Sequence, residues 1–326
     1  MLTILPTRRG LLVVLSATLA TPSHAQAPWP TRPLRIIVPF PPGGLADLLA
    51  RPLAVRLQQE FGQPVVVENR PGAGGNIGAD LVTKSPPDGA TWLLGSIGPL
   101  AVNQFLFPRM PYETRTAFAP TSLLITSPKV VVVGAGRPWR DLPALIAHAR
   151  ANPGTLTAGS AGNGSSLHIA LALFNQQART DIIHVPYRGA AAAVTDLVGG
   201  RIDMLIDNLP NILPQLSEGA ARPLAVATPG RLPQLPDVPT TAEAGLPEFL
   251  FGTWFGLAAP AGTPRDVLQR MAAVVDAALG DPAIGGRLAE QGAIPGGGTP
   301  DAFAAFIAAE TTRLEPVIQA VGIRAE

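Results

Sequence analysis

Short, unbroken apolar runs alternate with helix-length stretches along most of this 326-residue chain, and that alternation constrains its fold more than any other feature. Strands separated by ten-residue helices must be joined by right-handed crossovers, which builds parallel sheets flanked by helices, an α/β fold. Val65-Val66-Val67, apolar without alternation, suits a strand covered on both faces. The spacing predicts strands over 34–38, 65–68, 91–95, 130–133, 155–159, 182–185, 204–207 and 224–227. Helices are predicted over 47–61, 77–84, 142–151, 166–178, 190–199 and 213–219.

The C-terminal quarter is helical in pattern. Val267, Leu268, Met271, Val274, Val275, Ala278 and Leu279 follow one helical face, and a later helix carries Phe303, Phe306 and Ile307. The length favours two domains, yet no low-complexity linker divides them, so the chain should pass between lobes more than once. The expected crossings are 119–130, extended and broken by Pro128, and 249–260. On that reading one lobe holds 28–125 with 252–326, and the inserted lobe holds 126–251.

Residues 1–27 read as an export signal: Arg8 and Arg9, an apolar core from Leu11 to Ala20, and a small-x-small site at Ala25-Gln26-Ala27. The core is shorter than the roughly 20 residues that span a bilayer. The arginine pair fits either general or twin-arginine export. Cleavage near Ala27 takes two of the 24 basic side chains and none of the 23 acidic ones, leaving the mature chain one unit negative. That argues against nucleic acid, whose partners carry a basic face. Cysteine is absent, which excludes a disulfide frame, a thiol nucleophile and a lipid-anchored cysteine. A periplasmic location is expected.

Two strand–loop–helix units carry the functional signal. The first is Val38-Pro39-Phe40-Pro41-Pro42-Gly43-Gly44-Leu45-Ala46-Asp47, where helix-start N–H groups await an anion. No Lys or Arg lies between Val38 and Ala50, so a polyphosphate would lack a counter-charge, and the phosphate-loop pattern is missing. The second runs from Gly159 through Ser160-Ala161-Gly162-Asn163-Gly164-Ser165-Ser166 to His168, uncharged and rich in hydroxyls. Both follow strand ends, where α/β sheets bind ligands, so they should face each other across a cleft.

Other patterns fail. Ala158 stands where the Gly-x-Ser-x-Gly nucleophile elbow needs its first glycine, and Ile77 where the dinucleotide fingerprint needs its last. His148, His168 and His184 form no ligand-like pair, and His168 suits a capping or core role. Arg70, Arg188 and Arg201 could meet a ligand or form ion pairs. Asp47 fits a helix-start residue organising the first loop, and Asp207 could point into the cleft.

These segments resemble the Bug, or TctC-like, family, the extracytoplasmic solute receptors of tripartite tricarboxylate transporters. The resemblance runs from about Trp29 to the C-terminus. It rests on Arg35–Asp47 around Val38–Gly44, on Val65–Gly78 with Glu68-Asn69-Arg70-Pro71-Gly72-Ala73-Gly74-Gly75-Asn76, and on Pro87-Asp88-Gly89. It continues in Gly159–Gly164, His184-Val185-Pro186-Tyr187-Arg188-Gly189, Leu235–Thr240 and Trp254–Pro264. It implies a type II-like, two-lobed periplasmic binding protein with mostly parallel sheets and two interdomain crossings. It further implies a small organic acid as ligand, held by loop backbone and water, permease subunits as partners, a monomeric state and no cofactor. The contacts it implies are Phe40, Gly43, Gly44, Leu45, Ala46, Asp47 and Ser96 from one lobe. From the other come Ser160, Gly162, Asn163, Gly164, Ser165, Ser166, Tyr187 and Asp207. Ala46 replaces a Thr common in the family, and Ala190–Ala193 lack a usual Pro; the lost hydroxyl, with Leu45 beside it, suggests a more apolar pocket. The alternative is an esterase on a similar α/β scaffold.

Overall fold

The computed structural model describes residues 29–322, so the export-signal reading lies outside the described residues. The chain begins β1 (Leu34–Val38), α1 (Leu45–Phe61), β2 (Val65–Asn69), α2 (Asn76–Thr83) and β3 (Thr91–Ser96). A π-turn over Gly98–Val102 leads into the short α3 (Asn103–Leu106). A 17-residue strand, β4 (Phe118–Gly134), precedes α4 (Leu142–Ala151), β5 (Thr157–Ser160), α5 (Ser166–Ala178) and β6 (Ile183–Pro186). Then come α6 (Ala190–Val198), β7 (Met204–Asn208), α7 (Leu209–Ser217), β8 (Ala221–Val226) and β9 (Gly252–Pro260). The chain ends with α8 (Arg265–Gly280), α9 (Arg287–Glu290), β10 (Ile294–Gly297) and α10 (Pro300–Val321).

The strands run in the order β2-β1-β3-β9-β4-β7-β5-β6, with β8 and β10 also pairing with β4. The expected parallel pairing holds for β2-β1-β3 and for β6-β5-β7. Everything paired to β4 and β9 is antiparallel, which corrects the expectation of mostly parallel sheets. The reason lies in the crossings themselves: β4 and β9 run in opposite senses side by side and form the middle of the sheet.

Pro128 does not break the extended segment as the sequence suggested. It sits where β4 changes partners, Pro128 opposite Gly252 of β9 and Lys129 opposite Asn208 of β7, so its missing N–H falls at the changeover. Helix α7 starts four residues before the predicted 213, because Pro210 stands in its first turn, where no N–H is needed.

Core packing follows the apolar rows. Leu45, Leu49, Leu53 and Leu57 of α1 are buried against the β1–β3 side, each contributing about 1.5–3 kcal/mol. Helix α10 seats Phe303 edge-on to Trp254 of β9, ring centres 5.8 Å apart. The packed helices leave the carboxyl ends of β1 and β5 facing one cleft, and that positions the two glycine loops.

Candidate functional site

The first loop is shaped by one carboxylate. Asp47, buried at the start of α1, accepts from Gly43 N–H (3.3 Å), from Arg51 Nε and Nη2 (both 2.9 Å) and from Asn69 Nδ2 (3.1 Å). Asn69 also donates to Phe40 O at 3.0 Å, which ties the loop to the end of β2. Burial alone would push the Asp47 carboxyl up, but Arg51, Asn69 and the Gly43 amide together hold it below the usual carboxylate range. Gly43 turns at φ +86°, a left-handed conformation that suits glycine. Gly44 offers no side-chain cap; the Asp47 N–H bonds to Gly44 O, and the Leu45 and Ala46 N–H groups stay available.

The second loop is held from beneath. Ser160 Oγ lies 2.6 Å from His184 Nε2 and accepts from Gly162 N–H at 3.1 Å. Gly164 N–H donates to His168 Nδ1 at 3.2 Å, and Ser165 caps α5 by accepting from His168 N–H. The rings of His168 and His184 stack 3.9 Å apart. Burial, and then the neighbouring His184, push His168 down to about 4, and burial lowers His184 as well. Both imidazoles are therefore neutral near pH 7. The expected capping role of His168 holds, but the sequence missed its stacking on His184.

Between the loops lies an inner cavity of about 80 Å³, room for a small polar group or a few waters. An outer cavity of about 570 Å³ shares Phe40, Pro41, Gly74, Ala161, Ser165 and Arg188 with it. First-turn residues of four helices line the inner cavity: Leu45 and Ala46 of α1, Ser166 and Leu167 of α5, Ala190 to Ala192 of α6, and Asn211 of α7 with its cap Asn208. Each helix aims its positive end inward. No Asp or Glu lines either cavity. The walls are apolar where Phe40 meets Phe255 edge-on at 6.3 Å. The two sides come close at two places: a Cβ added to Gly74 would stand 3.3 Å from Asn163 O, and one on Gly189 the same distance from Pro41 Cγ.

Of the residues expected at the site, Phe40, Gly44, Leu45, Ala46, Ser96, Gly164, Ser165 and Ser166 line the inner cavity. Gly162, Asn163 and Tyr187 line the outer one. Tyr187 commits its hydroxyl to Asp196 Oδ2 at 2.8 Å; burial and that bond push it up to about 12. Four expected residues line neither cavity. Gly43 and Asp47 build the first loop, and Ser160 is fully buried under the second. Asp207 does not face the cleft. It is fully buried, and its Oδ1 accepts from Asn208 N–H (2.7 Å) and Asn211 Nδ2 (3.0 Å) at the start of α7. Arg70 pairs with Glu68 and Arg201 with Asp196, while exposed Arg188 lines both cavities.

Sequence reasoning missed Asn208, Asn211, Thr253 and Phe255 in the lining. Asn208 and Asn211 follow a strand end and flank Pro210, the one local signal that could have found them. Thr253 and Phe255 sit on β9, a segment the sequence marks as a crossing and, from Trp254 on, as a family motif, but not as part of the lining. The sequence reading also missed Lys129, fully buried on β4, whose Nζ donates to Ser166 Oγ at 3.0 Å. Among the described residues no cluster of three or more His, Asp or Glu could hold a metal, and no helix is long and apolar enough to cross a membrane.

Residues 49–323 match the model of the tripartite tricarboxylate transporter family receptor. A Pseudomonas sp. (strain P51) protein encoded in the tcbD-tcbE intergenic region is 44% identical over 95% of this chain and 94% of its own length. Bordetella pertussis BugT is 40% identical over 96% of each. Among solved structures, R. palustris Rpa4515 with adipate superposes with a TM-score of 0.88 at 39% identity, covering 91% of this chain and all of that one. MatC (Rpa3494) from Rhodopseudomonas palustris with bound malate gives 0.85 at 33% identity, covering 89% of this chain and all of that one. The periplasmic binding protein BugD gives 0.86 at 30%, over 91% of this chain and all of that one. A mixed sheet with helix starts gathered on one cleft, a family model spanning most of the residues, and relatives aligned nearly end to end lead to one assignment: this chain belongs to the tripartite tricarboxylate transporter receptor family.

Proposed function

We propose that the protein is a periplasmic receptor that closes two lobes, 28–125 with 252–326 and 126–251, over a small organic acid. It then presents the acid, as a monomer, to the membrane permease subunits of a tripartite tricarboxylate transporter. The observation that carries this reading is the set of four helix N-termini around an inner cavity free of carboxylates. Fixed N–H dipoles favour an anion there, and Arg188 is the one cation among the lining residues. The adipate and malate in related structures are chemically of that kind. The contacts are assigned to Phe40, Gly44, Leu45, Ala46, Ser96 and Gly164 to Ser166, with Gly162, Asn163 and Tyr187 at the outer wall. Gly43, Asp47, Ser160 and Asp207 act by shaping the loops and the α7 start.

A thermal-shift and calorimetric panel of mono-, di- and tricarboxylates beside their amides tests the reading. An acid present at a hundredfold excess over its Kd should stabilise the fold by about 2.7 kcal/mol, and its amide should not. A panel in which no acid shifts the melt, or amides shift it equally, would reject the reading. Closure of the two lobes over a bound acid should make the protein more compact. Small-angle scattering should therefore show the radius of gyration fall when the acid that binds is added; an unchanged value at saturation would count against closure.

The Ser160–His184 contact is the one feature that favours the esterase alternative. Ser160 has no exposed surface, and its Oγ is committed to the loop it supports, so no catalytic role is assigned to it. Turnover of p-nitrophenyl acetate that disappears in Ser160→Ala would reverse this.

A further inference from the structure

Lys129 is an unusual group to find behind a cradle whose loops are uncharged. It is fully buried, and its amine has a single hydrogen-bond partner, Ser166 Oγ, although an ammonium carries three donors. No carboxylate stands within the 4.0 Å of an ion pair among the described residues. Asp207, on the neighbouring strand, is the charged group that acts on it; its Oδ1 is engaged at the start of α7, and its buried Oδ2 has no hydrogen-bond partner. The other elements around the amine add no charge: α5 brings Ser166 and the neutral His168, β9 brings Thr253, and β8 brings Val226 and Ala227. The N-terminus of α5 adds positive potential at the same place.

The single partner points outward. Ser166 Oγ accepts from Lys129, so its own proton is free for the inner cavity, which Ser166 lines. Asn208, opposite Lys129 in the sheet register, and Thr253 also line that cavity. Both are buried, and Asn208 Oδ1 and Thr253 Oγ1 have no protein partner. A hydroxyl polarised by a buried amine and two residues with unpartnered polar atoms thus line one cavity.

We propose that Lys129, acting through Ser166 Oγ, is the charge partner of a ligand carboxylate at the inner end of the cavity, and so selects ionised acids. This rests on the reading of the protein as an acid receptor. Lys129 is then a positioning residue, and its effect should be visible in protons. Burial pushes its amine down to about 7 in the empty protein, and an arriving carboxylate favours the charged form. Binding should therefore take up a proton wherever the empty amine is neutral.

Calorimetry with adipate and malate, in buffers of different ionisation enthalpy, tests this. Wild type should take up about one proton at about pH 8 and almost none at about pH 6, with affinity falling roughly tenfold per pH unit above about 7. Lys129→Met should bind about 10- to 100-fold more weakly and lose the proton uptake. Lys129→Met/Asp207→Asn, which leaves no orphaned carboxylate, should behave the same way if the single variant folds poorly. Wild-type affinity or unchanged proton uptake in the folded double variant would overturn the proposal while leaving the acid-receptor reading intact. Binding of no acid by wild type would overturn both.

Discussion

Gly256→Val should destabilise the fold by about 3 kcal/mol or more, the largest effect expected of any single change discussed. Gly256 lies in β9 between β3 and β4, and a Cβ there would fall inside 3.0 Å of three ring carbons of Phe303. The ring cannot yield: it is buried, edge-on to Trp254 and stacked beside Phe306 with centres 6.4 Å apart. Overpacking a site hemmed in this way forces off-rotamer side chains or lifts α10 from the sheet. A melting temperature roughly 6–12 °C below wild type is the expected reading. Combining it with Phe303→Leu should restore more than the two single effects predict, since the residues share one volume. A melt within about a degree of wild type for Gly256→Val would show that α10 is not seated against this strand.

Asp47→Ala should be the more damaging change to binding. It removes the acceptor for Gly43 N–H, Arg51 and Asn69, and leaves the Nδ2 of half-buried Asn69 with only Phe40 O. Losing charge-assisted hydrogen bonds of this kind should cost about 2–3 kcal/mol of stability. The first loop then loses its shape, so acid affinity should fall at least about tenfold. The pH dependence has a definite sign. Asp47 is held below its ordinary value of 3.8 in the folded protein, so its contribution is fully present above that pH. It is lost as pH falls through the lowered value, and the gap between wild type and Asp47→Ala should close in that acid range. Denaturant titrations at about pH 7 and about pH 3 would check it. A gap that widened on acidification would contradict the hydrogen-bond account.

Local structure was legible because local rules govern it. The strand over 34–38 and the helices over 142–151 and 166–178 fall where apolar spacing and cap residues placed them. Both glycine loops were readable for the same reason: a strand end, a glycine turn and a helix start lie within a dozen residues. Asp47 was legible as an organiser of the first loop, since it sits one turn from the residues it serves. Asp207 was not, because its partners depend on where α7 begins, and Pro210 moved that start.

The sequence alone determined the α/β alternation, the two uncharged loops and, through seven ordered motifs, the family. All of these follow from neighbours in the chain. Only the tertiary structure decided that Phe118–Gly134 and Gly252–Pro260 pair antiparallel and become the centre of the sheet. With that pairing, Lys129 and Thr253 arrive beneath loops that carry no charge of their own, and Ser160 meets a histidine 24 residues away. A lysine following a proline in an extended segment looks like any surface lysine. Its burial depends on which strands close over it, and strand pairing across such separations is set by packing and hydrogen bonding between distant segments, which no local pattern records.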